Sequence, residues 1–359
     1  MCIRDRSGLP FQGTFDGYGY QITNLKISNG GQYAGLFGYT KGAVIKNCNV
    51  TGEINGYNYT GGIVGSANVN TKIRNCSFQG NVEGNGEKRG GIVGHTSIGC
   101  DVSGCFVTGT VTGEKFVGGI AGWGAGTIKN CYALANVTAT GVSAGGIAGY
   151  YCSNFTIENC YYGGDVLAKN YAGGIAGVMD STSGSSTTIK NCVSLAESVT
   201  AGINSVNRIA GGVRDNINLI NNHSYNRTKL VIDSKPAYPT GGAGNDVIGA
   251  DVYISNGRVM KDVQKGEVFA WTGFDKAIWY IPTEAGKLPS LQKGTYPDLP
   301  TLPSKDLTID ETPQHFTTRN IGNGFVVKVT SEGTLNESIE FTKEYRLHDT
   351  TDAWKSAVP

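Results

Sequence analysis

The residues most suggestive of chemistry are cysteines that recur at nearly constant spacing. Each ends a four-residue pattern of an apolar residue, any residue, Asn (Gly in one copy) and Cys, as in Ile73–Cys76. Successive members lie 28, 29, 26, 29 and 32 residues apart. The members are Cys48, Cys76, Cys105, Cys131, Cys160 and Cys192. Such cysteines could bind a metal, form disulfide bonds or fill small buried spaces.

The sequence favours the third role. It contains no CxxC and no Cys/His cluster at zinc spacing. A degenerate copy, Ile22–Leu25, puts Leu25 at the cysteine position, and leucine neither binds metal nor forms a bridge. We therefore expect a core ladder of Leu25 and these cysteines as free buried thiols. A second degenerate copy would end the ladder at His223. Cys100 and Cys152 lie outside the series, and a bond between them, or to another chain, stays open.

The sequence contains few other residues in catalytic or metal-binding patterns. The four histidines, His95, His223, His315 and His348, do not lie in HExxH, and GxSxG and the Walker A loop do not occur. Residues 241–249 match one copy of a calcium-binding nonapeptide that contains Asp246, but such calcium ions sit between consecutive copies. We expect no catalysis and no cofactor, with calcium at Asp246 as the alternative.

The second residue of each cysteine pattern forms a partly basic ladder. Its members are Lys46, Arg74, Ser103, Lys129, Glu158 and Lys190. Lys46, Arg74 and Lys129 could line a groove for acidic glycans. A solvated strand face that stays charged for solubility explains the same residues, and we favour it.

The residue after each cysteine is often aromatic. This position is held by Phe106, Tyr132 and Tyr161 in three successive copies. Stacked rings could form a sugar-binding platform, but aromatic residues are also ordinary strand formers. A second candidate surface comprises the loop aromatics Tyr57, Tyr59, Phe116 and Tyr171.

These ladders require a chain that bends in the same place in every repeat. Residues three apart on a flat strand point to opposite faces, yet both ends of the cysteine pattern are buriable. The chain must turn at the third residue, where Asn or Gly tolerates positive φ. We expect a corner ladder of Asn24, Asn47, Asn75, Gly104, Asn130, Asn159 and Asn191.

A second repeated run, Gly-Gly-Ile-x-Gly, accompanies the first, as at 61–65 and 90–94. Each repeat thus supplies three short extended pieces joined by Gly- and Asn-rich corners. Self-similarity at such a period, without any helical pattern, predicts an all-β solenoid of the parallel β-helix type.

The two runs together resemble the GLUG-motif repeats of bacterial surface proteins. Residues 13–27 are similar to the opening coil of such domains, and residues 268–291 to their closing segment. The resemblance implies a right-handed parallel β-helix with three short strands per coil, on an exported adhesin-like protein. The motif also occurs as an accessory region in IgA-cleaving metallopeptidases. It carries no shared catalytic residues.

Composition fits this class of protein. The chain has 359 residues, of which 54 are Gly and 16% are charged. Its net charge of +1 gives no argument for nucleic acid as a partner. The chain contains no run of eighteen apolar residues, so we expect no membrane insertion in this fragment.

We divide the chain into four parts. Residues 1–7 fit neither the repeat nor a signal peptide and are interpreted as a non-native start. Residues 8–294 form the β-helix, with a cap over its open end from about residue 267 that uses Trp271, Phe274, Trp279 and Tyr280. Residues 295–304 are a Pro-rich linker, and residues 305–359 are a fragment of a further, truncated β module.

The expected function is a non-catalytic, adhesin-like domain at the bacterial cell surface or in secreted form. It would present a binding surface to a glycan or a host or cell-surface protein, or act as a stalk, and we expect a monomer. The alternative is the accessory β-helix of a secreted lyase or hydrolase acting on glycans, or of an IgA-cleaving metallopeptidase. The signal peptide and anchor would lie outside this fragment.

Overall fold

The computed structural model describes residues 8–180, 185–213, 217–224, 228–236, 274–280, 290–291 and 306–308. These residues form β-strands and no helix, and the strands stack as a parallel β-solenoid of about seven turns. The predicted all-β class and parallel β-helix architecture are confirmed. Three sheets run along the solenoid, and their strands pair parallel except Lys235–Pro236, which pairs antiparallel with Lys229–Ile232. A separate antiparallel two-stranded piece packs against the solenoid.

The first sheet holds the strands that follow the Gly-Gly run and those that lead into the Asn corner. Its strands are Thr14–Asp16, Phe37–Lys41, Val44–Lys46, Val64–Asn68, Lys72–Arg74, Val93–Thr96, Asp101–Ser103, Ala121–Lys129, Ala148–Glu158, Ala176–Asp180, Thr187–Lys190, Ala210–Val213 and Ile217–Ile220.

The second sheet holds the strands that begin just after the cysteine position. Its strands are Gln21–Gly30, Asn49–Gly56, Ser77–Glu83, Phe106–Gly113, Tyr132–Ala139, Tyr161–Tyr162, Val166–Ala168, Val193–Ser194, Ser198–Ala201, His223–Ser224, Lys229–Ile232, Lys235–Pro236 and Asp306–Thr308.

The third sheet holds the short strands that lead into the Gly-Gly run. Its strands are Tyr33–Ala34, Tyr59–Gly61, Lys88–Gly90, Phe116–Gly118, Ser143–Gly145, Tyr171–Gly173 and Ser205–Asn207. The antiparallel piece pairs Trp279–Tyr280 with Ser290–Leu291.

Equivalent residues of successive repeats lie directly above one another. Ile45 pairs with Ile73, Ile73 with Val102, Val102 with Ile128 and Ile128 with Ile157. Parallel strands lie about 4.8 Å apart, so each sequence position becomes a column of side chains along the solenoid. The inward columns merge into one continuous hydrophobic core.

The last glycine of the Gly-Gly-Ile-x-Gly run allows the third sheet to approach the first. A Cβ on Gly94 would lie 2.4 Å from Thr60 N and 2.9 Å from Lys88 O. A side chain there would have to displace backbone, so glycine is required. This close approach brings outward side chains of the two sheets together.

Several sequence predictions concern residues outside the described ranges. They are the non-native start, the calcium ligand Asp246, Trp271, the Pro-rich linker and most of the C-terminal module. These domain boundaries stay predictions, as does the handedness of the coil.

Candidate functional site

The repeated cysteines form a column of buried sulfur atoms inside the solenoid. All six thiols of the ladder are free and buried. Four of these sulfurs, those of Cys76, Cys105, Cys131 and Cys160, contact a backbone carbonyl oxygen of the preceding coil. Cys131 Sγ lies 3.7 Å from Val102 O and 3.2 Å from Lys129 O, either of which can accept its single S–H, and it accepts the N–H of Cys105 at 3.4 Å. The sulfur therefore gives the buried N–H of Cys105 a partner at the corner.

Burial makes these thiols chemically quiet. It raises the pKa of Cys48, Cys76, Cys105, Cys131 and Cys160 well above the usual range of a thiol. The thiolate is the nucleophile and the metal ligand, so these sulfurs are poor at either task. Cys100, outside the ladder, is likewise a free buried thiol, which leaves no support for its bond to Cys152.

The Asn position just before each cysteine is a left-handed corner. In the cysteine repeats φ lies between 51° and 54° for asparagine and is 64° for Gly104. The amides hydrogen-bond along the column. Asn75 Nδ2 donates to Asn47 Oδ1 at 3.4 Å, and Asn191 Nδ2 donates to Asn159 Oδ1 at 3.2 Å. The column thus supports the turn in the coils that have asparagine there, and Gly104 interrupts it.

At the N-terminal end the ladder assignment was wrong. Leu25 is fully buried, but it pairs with Gly52 in the second sheet, and Ile22 pairs with Val50. Asn24 has φ of 56° at an irregularity in this pairing, not at the corner. The first corner comes earlier because Asp16 Oδ1 accepts the N–H of Tyr18 at 2.9 Å and starts the turn.

At the other end the register was wrong by one residue. Ile220 pairs with Lys190, so the corner residue is Asn221 and the cysteine position is held by Asn222 rather than His223. Asn222 Oδ1 accepts the N–H of Cys192 at 3.0 Å, and its Nδ2 donates to Ile189 O at 2.8 Å. The amide binds the same pair of backbone groups that a thiol binds in other coils.

The basic ladder is neutralised by carboxylates of neighbouring coils. Lys46 Nζ lies 2.9 Å from Asp16 Oδ2. Arg74 Nη2 and Lys129 Nζ lie 2.8 and 3.8 Å from the two oxygens of Asp101. A groove for acidic glycans requires unpaired positive charge, so these contacts favour the solvated charged face.

The aromatic ladder after the cysteines is stacked and covered. The ring centroids of Phe106 and Tyr132 lie 4.9 Å apart and those of Tyr132 and Tyr161 4.8 Å, with nearly parallel planes. Trp279 packs on Tyr161 at 5.6 Å and donates from Nε1 to Asn130 Oδ1 at 3.4 Å. Tyr161 and Trp279 are each 1% exposed, so this ladder does not offer free ring faces to a sugar.

The segment that covers it was expected over the open end of the solenoid. Its described part, 274–280, instead packs against the flank of coils that have neighbours on both sides. Asp275 organises the turn, because its carboxylate accepts the N–H of Ala277 and its carbonyl accepts that of Trp279. We call residues 274–280 and 290–291 the flank clasp. It lies on the flank because the apolar strip of aromatic rings is there.

A second cluster of rings lies where the third sheet approaches the first. We call it the corner aromatic band. Its members are Tyr33, Tyr39, Tyr59, Lys88, His95 and Trp123, all half-buried. Tyr33 stacks on Tyr59 at 5.0 Å, and His95 stacks on Trp123 at 5.0 Å.

The remaining contacts of the band join these two stacks. Tyr59 and His95 are arranged edge to face with ring centroids 5.6 Å apart, and Tyr33 and Tyr39 likewise at 5.0 Å. Lys88 Nζ lies 4.7 Å from the centre of the Tyr59 ring and 4.2 Å from that of Trp123. The band is a continuous surface of rings with one cation in its centre.

Of the loop aromatics predicted from the sequence, only Tyr59 is in this band. Tyr57 is exposed in the adjoining loop, Phe116 packs on Tyr150 at 5.0 Å, and Tyr171 is half-buried in its strand. His95, Trp123 and Lys88 were missed as site residues. The sequence could have indicated them by their equivalent positions in successive repeats. His95 and Trp123 occupy one column of side chains, and Tyr59 and Lys88 occupy the neighbouring column.

Buried Arg89 fixes the loop beside the band. Its guanidinium donates to the carbonyl oxygens of Gly56 and Tyr57 at 2.8 and 2.7 Å, and to that of Gly86. Burial lowers the pKa of Arg89 to about 10, which leaves it charged at neutral pH. The loop that carries Tyr57 is therefore tied to the interior of the coil.

Ser66 and His95 form a pair that could be mistaken for a catalytic dyad. Ser66 Oγ lies 2.9 Å from His95 Nδ1, and Asn68 Nδ2 donates to Ser66 Oγ at 3.0 Å. Ser66 is 2% exposed, so its hydroxyl cannot meet a substrate. Burial, and then the charge of Lys88, lower the pKa of His95 to about 4. The pair holds the imidazole ring in place.

The described residues contain no group of three or more His, Cys, Asp or Glu arranged to hold a metal ion. Within the same ranges, no helix has the length and apolar character needed to cross a membrane.

Comparison with known proteins gives one structural likeness. No family model and no curated protein matches the chain. The crystal structure of a "putative immunoglobulin A1 protease" from Bacteroides ovatus is similar with a TM-score of 0.47 and 23% identity, over 68% of this chain and 69% of that one. A likeness of this degree establishes neither a shared family nor a shared activity.

Proposed function

We propose that this chain is a non-catalytic binding domain of adhesin type, displayed on a bacterial surface or secreted, which recognises a partner through the corner aromatic band. The observation that carries the proposal is the band itself. Tyr and Trp combine a large apolar body with a polar end, and such residues are enriched in the centres of recognition surfaces.

The solenoid supplies the rigidity that recognition needs. The band stands on paired parallel strands, and its side chains hold one another through stacked and edge-to-face rings. A surface ordered before binding loses little conformational entropy when a partner docks. The other outward ladders are occupied, because the basic one is ion-paired and the flank ladder lies beneath the clasp.

The test is a binding screen with matched variants. The recombinant chain would be applied to glycan and matrix-protein arrays beside Trp123→Ala and Tyr59→Ser. Tyr280→Ser is the control, because Tyr280 is an exposed tyrosine outside the band. We expect a wild-type ligand whose binding both band variants abolish and the control retains. Equal binding by all four proteins would overturn the assignment to the band, and no binding by any would leave only a stalk.

The competing function, an accessory region of a glycan-active enzyme or an IgA-cleaving peptidase, predicts turnover. Each ligand found in the screen would be incubated with the chain and analysed by mass spectrometry for cleavage products. Intact ligand is expected; cleavage that survives repurification of the chain would favour the enzyme.

A further inference from the structure

We propose that the corner aromatic band recognises a carboxylate-bearing glycan, with Lys88 as the counter-ion of the carboxylate. This inference rests on the proposed function and names its ligand class. It starts from the surroundings of the Lys88 ammonium group. Lys88 Nζ lies over the rings of Tyr59 and Trp123 and 3.4 Å from Tyr59 Oη.

Lys88 differs from the other half-buried lysines in the described part of the chain, each of which is ion-paired. Lys46, Arg74 and Lys129 are ion-paired, and Glu87, the neighbour of Lys88 in sequence, pairs with Lys115 instead. Among the described residues no carboxylate lies within ion-pair distance of Lys88. Tyr59 Oη accepts one N–H of the Lys88 ammonium group, so other N–H donors of this group are left for an anion.

The orientation of the rings also favours an anion over a stacked neutral sugar. The faces of Tyr33, Tyr59, His95 and Trp123 are turned towards one another or towards Lys88. One face of each of these four rings is therefore already in contact with a neighbouring ring. The edge of an aromatic ring is the positive part of its quadrupole, so the edges and Lys88 together attract oxygen atoms.

The corner aromatic band has a single positive charge, which one carboxylate group of a ligand would neutralise. His95 is neutral above pH 5 because burial and Lys88 lower its pKa to about 4, so Lys88 carries the positive charge alone. Lys115 chiefly, and Lys88 to a smaller extent, lower the pKa of Glu87, which therefore stays negative beside the band. An acidic peptide would bring several carboxylates towards Glu87, as well as backbone amides that need partners.

A sugar acid fits this arrangement better. It carries one carboxylate among several hydroxyl groups, and the tyrosine hydroxyls of the band can exchange hydrogen bonds with them. The sequence offered the ladder of Lys46, Arg74 and Lys129 as a candidate for binding acidic glycans. Because these three side chains are ion-paired, we assign the binding of a glycan carboxylate to Lys88 instead.

The test compares carboxylated glycans with their neutral counterparts. Hexuronate and sialylated oligosaccharides would be used, each paired with the same oligosaccharide after reduction of its carboxylates to alcohols. Binding to wild type, Lys88→Met and Lys88→Arg would be measured by calorimetry. Lys88→Met keeps the side-chain stem between the rings, and thermal melts would confirm that both variants fold.

We expect wild type to bind at least one carboxylated member about tenfold more tightly than its reduced form, the scale of one charge-assisted hydrogen bond. Lys88→Met should lose that preference, and Lys88→Arg should keep most of it. Loss of preference would appear together with loss of salt dependence.

The outcomes separate this inference from the function on which it rests. Equal binding of carboxylated and reduced forms, or a preference that survives in Lys88→Met, overturns the role of Lys88 while the band remains a binding site. Binding of poly-glutamate peptide but of no glycan overturns the ligand class. Failure of wild type to bind any member overturns the inference, and failure of the array screen as well overturns the proposed function.

Discussion

Replacing Cys131 with Asp tests whether the sulfur column is buried as the coils require. Cys131 is 0% exposed, and its sulfur contacts backbone groups of its own coil and of the preceding coil. An aspartate at this position would have a carboxyl group among apolar side chains and other thiols. Because the core disfavours the charged form, the folded state would hold the carboxyl group protonated.

The size of the effect follows from the pH. Keeping an aspartic acid protonated at pH 7, against a usual pKa of about 3.9, costs about 4 kcal/mol, and at pH 5 the same cost is about 1.5 kcal/mol. The folded-state pKa is raised, so the unfolded state binds fewer protons and stability falls as pH rises above about 4. Cys131→Asp should therefore approach wild type on acidification.

Cys131→Asn is the matched control. Asparagine has nearly the same size and shape as aspartate but does not ionise, and Asn222 already holds the equivalent position in a later coil. Overpacking affects both variants, typically by about 1–3 kcal/mol. Guanidinium unfolding midpoints at pH 5 and pH 7 would give the difference between them. Equal midpoints at pH 7, or a gap that does not shrink at pH 5, would refute the buried column.

Three further predictions test other parts of the molecule. Gly104→Asn should stabilise the chain by about 0.5 kcal/mol in calorimetry, because it extends the amide column and suits φ of 64°, whereas Gly104→Ala should lose about 1 kcal/mol. Trp279→Ala should release the flank clasp at a cost of about 3–5 kcal/mol to its docking and raise dye binding to the uncovered rings, with Tyr280→Ala unchanged. The His95 ring should titrate by NMR at about pH 4, rising in Lys88→Met; since this pKa is lowered, the stability contribution of neutral His95 is lost as pH falls from about 6.5 to about 4.

The sequence predicted the coil because its rules are local. A repeated apolar residue, a turn residue that tolerates positive φ and a small buriable residue define one corner, and parallel stacking carries that corner through the solenoid. Both misassigned corners lie where the pattern is degenerate. There, Asp16 and Asn222 perform the turn and the backbone contacts with other chemistry, which the cysteine pattern does not represent.

The surfaces were less predictable, because they depend on contacts between distant parts of the chain. The sequence placed Tyr132 and Tyr161 in one outward column but gave no sign that Trp279 would cover them. The corner aromatic band depends on two columns that approach each other across a Gly-Gly run. Each of these columns also contains non-aromatic residues. A comparison of the repeats at one sequence position at a time therefore does not reveal the band.

The sulfur column also bears on how such a molecule can change in length. The thiols of Cys76, Cys105, Cys131 and Cys160 contact the coil that precedes each of them, and they do so through equivalent backbone carbonyl groups. Loss or duplication of one whole coil therefore brings equivalent neighbours together, whereas a deletion of two or three residues would misalign the amides, the thiols and the rings at once. We therefore expect the number of coils to change by whole repeats. Each added repeat would lengthen the solenoid along its axis and continue the same columns of core side chains.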